Sequence, residues 1–108
     1  MNKLALLSLC ALIAACSSDG SADPARTQTV LGLTADVASG KTLYTSNCAS
    51  CHGSDGQSGS ARRNVAGVAD QNASSVVNVM QTGEDEMPSF SGLSDQQLAD
   101  ILGYVRSL

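Results

Sequence analysis

The feature that most constrains this chain is its shortage of large side chains. Trp is absent, and Tyr44, Phe90 and Tyr104 are the only aromatic residues among 108. A domain of this size buries only about 60% of the surface its unfolded chain exposes, so it is marginal even with a normal complement of aromatics. Such a fold needs its interior filled by something other than its own side chains. The length allows one small domain with a tail and excludes a two-domain enzyme.

Charge narrows the partners. The net charge is −4, and ten carboxylates face five Lys or Arg once Lys3 is set aside with a cleaved leader. No basic cluster exceeds Arg62-Arg63. An acidic chain of this kind has no electrostatic footprint for phosphates, so nucleic acid is excluded as a partner.

The N-terminus reads as an address. Met1-Asn2-Lys3 is followed by Leu4 to Ala15, in which Ser8 is the one polar residue. Twelve helical residues span about 18 Å, too short for a ~30 Å hydrocarbon core, so residues 1–15 are predicted to be a removable signal peptide. Ile13-Ala14-Ala15-Cys16 resembles the bacterial lipobox, which implies cleavage before Cys16 and its acylation with diacylglycerol and palmitate-type chains. Several acyl chains, at ~0.8 kcal/mol per buried CH₂, anchor a protein durably. The alternative is an ordinary signal that leaves an unmodified Cys. Ser17 fits the enterobacterial rule that favours the outer membrane. Residues 17–29 contain no large apolar side chain and are expected to be disordered. Residues 16–34 are therefore predicted to be a flexible tether, with Val30 to Leu33 as a strand-like lead, and residues 35–108 to be the folded domain.

Cysteine arithmetic isolates the chemistry. Cys10 leaves with the signal and Cys16 is committed to lipid, so Cys48 and Cys51 remain, spaced C-x-x-C and followed by His52, the one His in the chain. Zinc needs four ligands, and the domain offers three such groups. A thioredoxin-like dithiol needs a βαβ setting that no part of this sequence provides. The third reading is covalent attachment of a c-type haem, with Cys48 and Cys51 adding across the vinyl groups and His52 reaching the iron. A haem also supplies the missing interior.

With no second His, bis-His ligation within the chain is impossible, and the thioethers available as a sixth iron ligand are Met80 and Met87. Ala73, Val76, Val77 and Met80 recur at i, i+3, i+4 and i+7, which places Met80 on the apolar face of a helix. Met87 follows a helix stop at Thr82-Gly83 and precedes Pro88, where a loop can aim it at the iron. The alternative for Met87 is a packed gap-filler.

Four segments in order, Gly40-x-x-x-Tyr44, Cys48-Ala49-Ser50-Cys51-His52-Gly53, Met87-Pro88-Ser89-Phe90, and Leu93-Ser94-Asp95-x-Gln97-Leu98 through Ile101-x-x-Tyr104-Val105, resemble a small class I cytochrome c. The resemblance covers residues 35–108. It implies an all-α fold of three to four helices around one covalent haem c, with the first and last helices crossing at Gly40 near Ile101 and Tyr104. Family members commonly carry Pro-x-Leu-x-Gly after the haem motif, and the Pro carbonyl accepts the proximal imidazole N–H. This chain reads Arg63-Asn64-Val65-Ala66-Gly67, so the carbonyl available is that of Arg63.

Pattern agrees with this architecture. Thr34 or Asp36 is expected to cap a helix reaching about Asn47, and residues 73–82 to form a middle helix, although its valines also suit a strand. Ser94-x-x-Gln97 is a capping box ahead of Leu98, Ile101, Leu102 and Val105. Tyr44 and Tyr104 are expected in the core. The Gly- and Ser-rich stretch after His52 reads as a haem-wrapping loop, with Val65 and Val68 against the porphyrin and Arg62 or Arg63 paired to a propionate or simply solvated. Glu84-Asp85-Glu86 reads as a solvated turn in preference to a calcium site.

These features predict an electron carrier, not an enzyme, on the periplasmic side of a bacterial envelope and lipid-anchored. Its donor would be a dehydrogenase or quinol-oxidising complex and its acceptor an oxidase or reductase. Thioether ligation favours the ferrous state and a comparatively high potential. Two alternatives stand beside it: a ligand-binding or peroxidase-like haem protein with an open or displaceable sixth iron position, and an obligate haem subunit of a larger dehydrogenase or reductase.

Overall fold

The computed structural model describes residues 21–108 except Arg62. The signal peptide expected over residues 1–15, Cys16 with its expected lipidation, and Arg62 lie outside the described residues. Six helical segments follow one another: α1 (Pro24–Gly32), α2 (Val37–Asn47), α3 (Ala49–His52), α4 (Val68–Gln71), α5 (Ala73–Thr82) and α6 (Asp95–Arg106). α3 and α4 are single turns, leaving four longer helices. The described residues contain no strand, only an isolated antiparallel bridge between Glu84 and Met87.

Helix ends follow local chemistry. The Asp36 side chain accepts from Ser39 N–H at 3.1 Å and starts α2, so Asp36 is the cap in place of Thr34. That bond holds the Asp36 carboxyl below its ordinary range. The expected capping box opens α6: Ser94 Oγ accepts from Gln97 N–H at 3.1 Å, and Gln97 Oε1 accepts from Ser94 N–H at 2.9 Å. α5 occupies residues 73–82 and is helical throughout, which resolves its valines in favour of helix. Its face buries Val77 and Met80, as the spacing predicted.

The main packing is α2 across α6. Gly40 makes it possible, because a Cβ there would lie 1.9 Å from the Asp100 carbonyl oxygen and 3.1 Å from Tyr104 Cβ. The expected contact with Tyr104 is present, and the tightest neighbour is the Asp100 backbone, not Ile101. Asp100 reinforces the crossing by accepting from Asp36 N–H at 2.8 Å and from Gln96 Nε2 at 2.8 Å. Tyr44 is buried, its ring 5.2 Å from that of Tyr104, and its hydroxyl donates to the Gly53 carbonyl at 2.7 Å. Burial pushes this phenol up to about 12. Leu98, Ile101, Leu102 and Val105 complete the core from α6.

One expectation is overturned. Residues 24–32, assigned to a flexible tether ending in a strand-like lead, form α1 and pack on α5 and α6. The reason is a polar seam that composition hides. Asp23 caps the helix at Ala25 N–H, Pro24 occupies the first turn, and Thr27 and Val30 are buried on its inner face. Thr27 Oγ1 donates to Asn78 Oδ1 at 2.6 Å and accepts from Gln81 Nε2 at 2.7 Å. The folded body therefore begins about eleven residues earlier than residue 35.

Candidate functional site

Cys48 ends α2 and starts α3. Its N–H donates to Tyr44 O at 2.8 Å, while its carbonyl accepts from Cys51 N–H at 3.2 Å and His52 N–H at 2.9 Å. The one-turn geometry puts Cys48, Cys51 and His52 at i, i+3 and i+4, on one helical face. Both cysteines are free thiols; Cys48 is half-buried and Cys51 exposed. Burial, with a smaller contribution from Cys51, pushes the Cys48 thiol up to about 11. A thioredoxin-like dithiol needs a βαβ setting, and the described residues contain no strand to supply one.

His52 is oriented from behind. Its Nδ1 lies 3.2 Å from the Arg63 carbonyl oxygen, so an Nδ1–H donates there and the Nε2 lone pair is left for a metal. This is the contact expected of Arg63 despite the missing Pro. The loop that delivers the carbonyl is folded by its own bonds. Asp55 Oδ1 accepts from Gln57 N–H at 3.0 Å and Ser58 N–H at 2.9 Å, which holds the Asp55 carboxyl below its ordinary range. Ala61 N–H donates to Cys51 O at 2.7 Å and Val65 N–H to Gly56 O at 2.9 Å. Val65 packs half-buried against the core, whereas Val68, on α4, is 42% exposed. The Arg63 guanidinium points to Glu84, with 3.7 Å between Nη2 and Oε1.

Met87 sits in a tight turn after α5. Glu84 N–H donates to Met87 O at 3.1 Å and Met87 N–H to Glu84 O at 2.8 Å. Gly83 adopts φ +71°, and a Cβ there would lie 2.4 Å from the Met87 carbonyl oxygen, so only Gly lets the chain leave α5 in this direction. Phe90 N–H donates to Met80 O at 2.7 Å, and Ser89 Oγ donates to Gln81 O. The chain after the turn is thus tied back to α5 twice, and the Ser89 bond to Gln81 is a contribution that no sequence motif announced. Met87 is half-buried against the core cluster that also receives Cys48 and Val65, while Met80 is 5% exposed within it. Glu84, Asp85 and Glu86 are exposed along the turn, as expected of a solvated segment.

The donor set fits a haem c. It offers two free thiols on one turn, an imidazole whose second nitrogen is already engaged, and a thioether on a pinned loop, with Cys48 and Met87 packed against the apolar core.

Comparisons with known proteins agree. Residues 35–105 match the family described as cytochrome C oxidase, cbb3-type, subunit III. A cytochrome bc1 complex cytochrome c subunit of Corynebacterium diphtheriae is 40% identical over 77 residues, covering 68% of this chain but 27% of the relative. Cytochrome c6 of Cyanidium caldarium is 31% identical over 78 residues, covering 68% of this chain and 72% of the relative. The solved structure of cytochrome c6 from the diatom Phaeodactylum tricornutum superposes with a TM-score of 0.53 at 29% identity, over 65% of this chain and 90% of that one. The chain thus spans about a quarter of the bc1 subunits it matches and most of the c6 proteins.

Proposed function

Because the chain belongs to the class I cytochrome c family, electron carriers with one covalent haem c, we propose that it is a lipid-anchored carrier in a bacterial envelope that passes single electrons between respiratory partners. In this reading Cys48 and Cys51 would hold the haem by thioethers, and His52 Nε2 and the Met87 thioether would ligate its iron. When bound, the haem supplies the one-electron ferric–ferrous couple. The chain's own residues bind and orient. The Arg63 carbonyl fixes the orientation of the imidazole ring, while the Glu84–Met87 bridge limits where the thioether can go. Val65, half-buried against the core, would exclude water from one side of the haem, and the exposed Val68 is assigned to the same environment. Arg62 and Arg63 remain candidates for a propionate contact, although Glu84 competes for the Arg63 side chain.

The single observation that carries the proposal is the His52 Nδ1 contact with the Arg63 carbonyl. It leaves the imidazole one coordinating nitrogen, on the same turn as both thiols. A thioether as the sixth ligand leaves no open position for substrate, which separates a carrier from a peroxidase-like protein. The bc1 subunits among the relatives support a respiratory setting, with a quinol-oxidising complex or dehydrogenase as donor and an oxidase or reductase as acceptor. Redox encounters use small interfaces, and few cations are available here, so a mainly apolar patch serves for docking.

No described helix is long and apolar enough to cross a membrane. Acylated Cys16 is the proposed anchor, with residues 1–15 removed and an outer-membrane location. It lies eight residues before α1, a reach of at most ~29 Å, which keeps the domain near the headgroups. The reading is tested on the full chain matured with haem. It is expected to fractionate with membranes, to titrate as one single-electron couple, and to bind carbon monoxide only slowly when ferrous, because the thioether must first be displaced. A soluble protein whose ferrous form binds carbon monoxide at once would overturn it.

A further inference from the structure

α1 lies outside the region matched by the family, residues 35–105, yet its bonds converge on the two ends of the Met87 loop. On the side before Met87, Asp23 N–H donates to Gln81 Oε1 at 3.0 Å, Gln81 Nε2 donates to Thr27 Oγ1 at 2.7 Å, and Thr27 Oγ1 donates to Asn78 Oδ1 at 2.6 Å. Gln81 and Asn78 belong to the last turns of α5, and the Gln81 carbonyl also receives Ser89 Oγ. On the side after Met87, the Arg26 guanidinium is bound three ways. Nε donates to Asp95 Oδ1 at 2.6 Å, Nη1 to Ser91 O at 2.9 Å, and Nη2 to Leu93 O.

We propose that α1 is a strap that positions the Met87 loop, with Arg26 and Thr27 as positioning residues for the thioether. The physical argument is one of closure. A loop anchored at its ends only by its own backbone can swing by local unfolding, and its opening free energy is set by the bonds that must break. Here residues 78–81 and 91–95 are held by one rigid nine-residue helix, so the separation of the loop ends cannot change without breaking charged or buried hydrogen bonds. Arg26 suits the task because a planar guanidinium can engage several oxygens in a fixed geometry, which an ammonium cannot. Gln81 and Thr27 are buried, so loss of either partner leaves the other unsatisfied.

The inference rests on Met87 being the sixth ligand, and the test separates the two. Haem-loaded wild type, Arg26→Ala, Arg26→Lys, Thr27→Val and the control Asp100→Asn are compared by the far-red ferric sulfur-to-iron band and by carbon monoxide association with the ferrous form. Asp100→Asn weakens the α2–α6 crossing, away from the loop, and reports general destabilisation. Arg26→Ala and Thr27→Val are expected to speed carbon monoxide association about tenfold and to weaken the far-red band, with Arg26→Lys restoring little and Asp100→Asn changing neither. Unchanged association in both strap variants, or an equal rise in Asp100→Asn, would overturn the strap while leaving Met87 ligation intact. A wild-type band insensitive to Met87→Ala would overturn both.

Discussion

Gly40→Ala is expected to destabilise the haem-loaded protein by about 3 kcal/mol, near the upper end of what overpacking a tight interior costs. The new methyl carbon would be placed 1.9 Å from the carbonyl oxygen of Asp100, far inside contact distance. The obstacle is helix backbone, which cannot rotate away as a side chain tip can. α2 and α6 must therefore separate, and the separation also weakens the Asp100 contact with Asp36 N–H and the Tyr44–Tyr104 ring contact. In a domain of this size each kcal/mol moves the midpoint by roughly 4–8 °C, so thermal melts followed by far-ultraviolet dichroism should fall by roughly 12–24 °C. Gly92→Ala is the matched control. A Cβ at Gly92 meets nothing within 4 Å, and its melt is expected to stay near wild type. A Gly40→Ala melt equal to that of Gly92→Ala would show that the crossing is looser than described.

The second large effect is all-or-none. Replacing both Cys48 and Cys51 by Ala is expected to abolish retention of haem on the polypeptide through a denaturing gel, whereas either single replacement leaves one thioether and retains it. The two positions are not equivalent. Cys48 is half-buried against the core and its N–H closes α2 on Tyr44, whereas Cys51 is exposed. Cys48→Ala should therefore also lower thermal stability, by about 1 kcal/mol for the lost apolar contact, and Cys51→Ala should not. Covalent haem surviving in the double variant would refute attachment at these thiols.

Most of the architecture was legible because it is written in local signals. Ser94 and Gln97 announce α6 by the chemistry of orphan N–H groups, and the spacing of Ala73, Val76, Val77 and Met80 announces both α5 and the burial of Met80. The carbonyl behind His52 was legible too, since any residue at position 63 presents one, with or without the ring of a Pro. What escaped was long-range and polar. α1 is stabilised by Thr27 and Arg26 bonding residues 51 to 69 positions away, so the low apolar content of residues 17–29 said nothing of its fate. The local cues were Asp23-Pro24, a cap followed by a first-turn Pro, and the i, i+3, i+4 spacing of Thr27, Val30 and Leu31. The Glu84–Met87 bridge and the Ser89 bond to Gln81 likewise depend on tertiary placement. The identity of Gly40's nearest neighbour depends on helix phase, which spacing specifies only to within a residue.

The central claim is that His52 and Met87 hold the iron between them, and the ferric visible spectrum tests it most directly. A weak far-red sulfur-to-iron band is expected in the haem-loaded protein, kept in Met80→Leu, because Met80 is buried within the core, and abolished in Met87→Ala. A high-spin ferric spectrum that Met87→Ala leaves unchanged would mean an open sixth position. In that case a ligand-binding haem protein, not an electron carrier, would be the correct account.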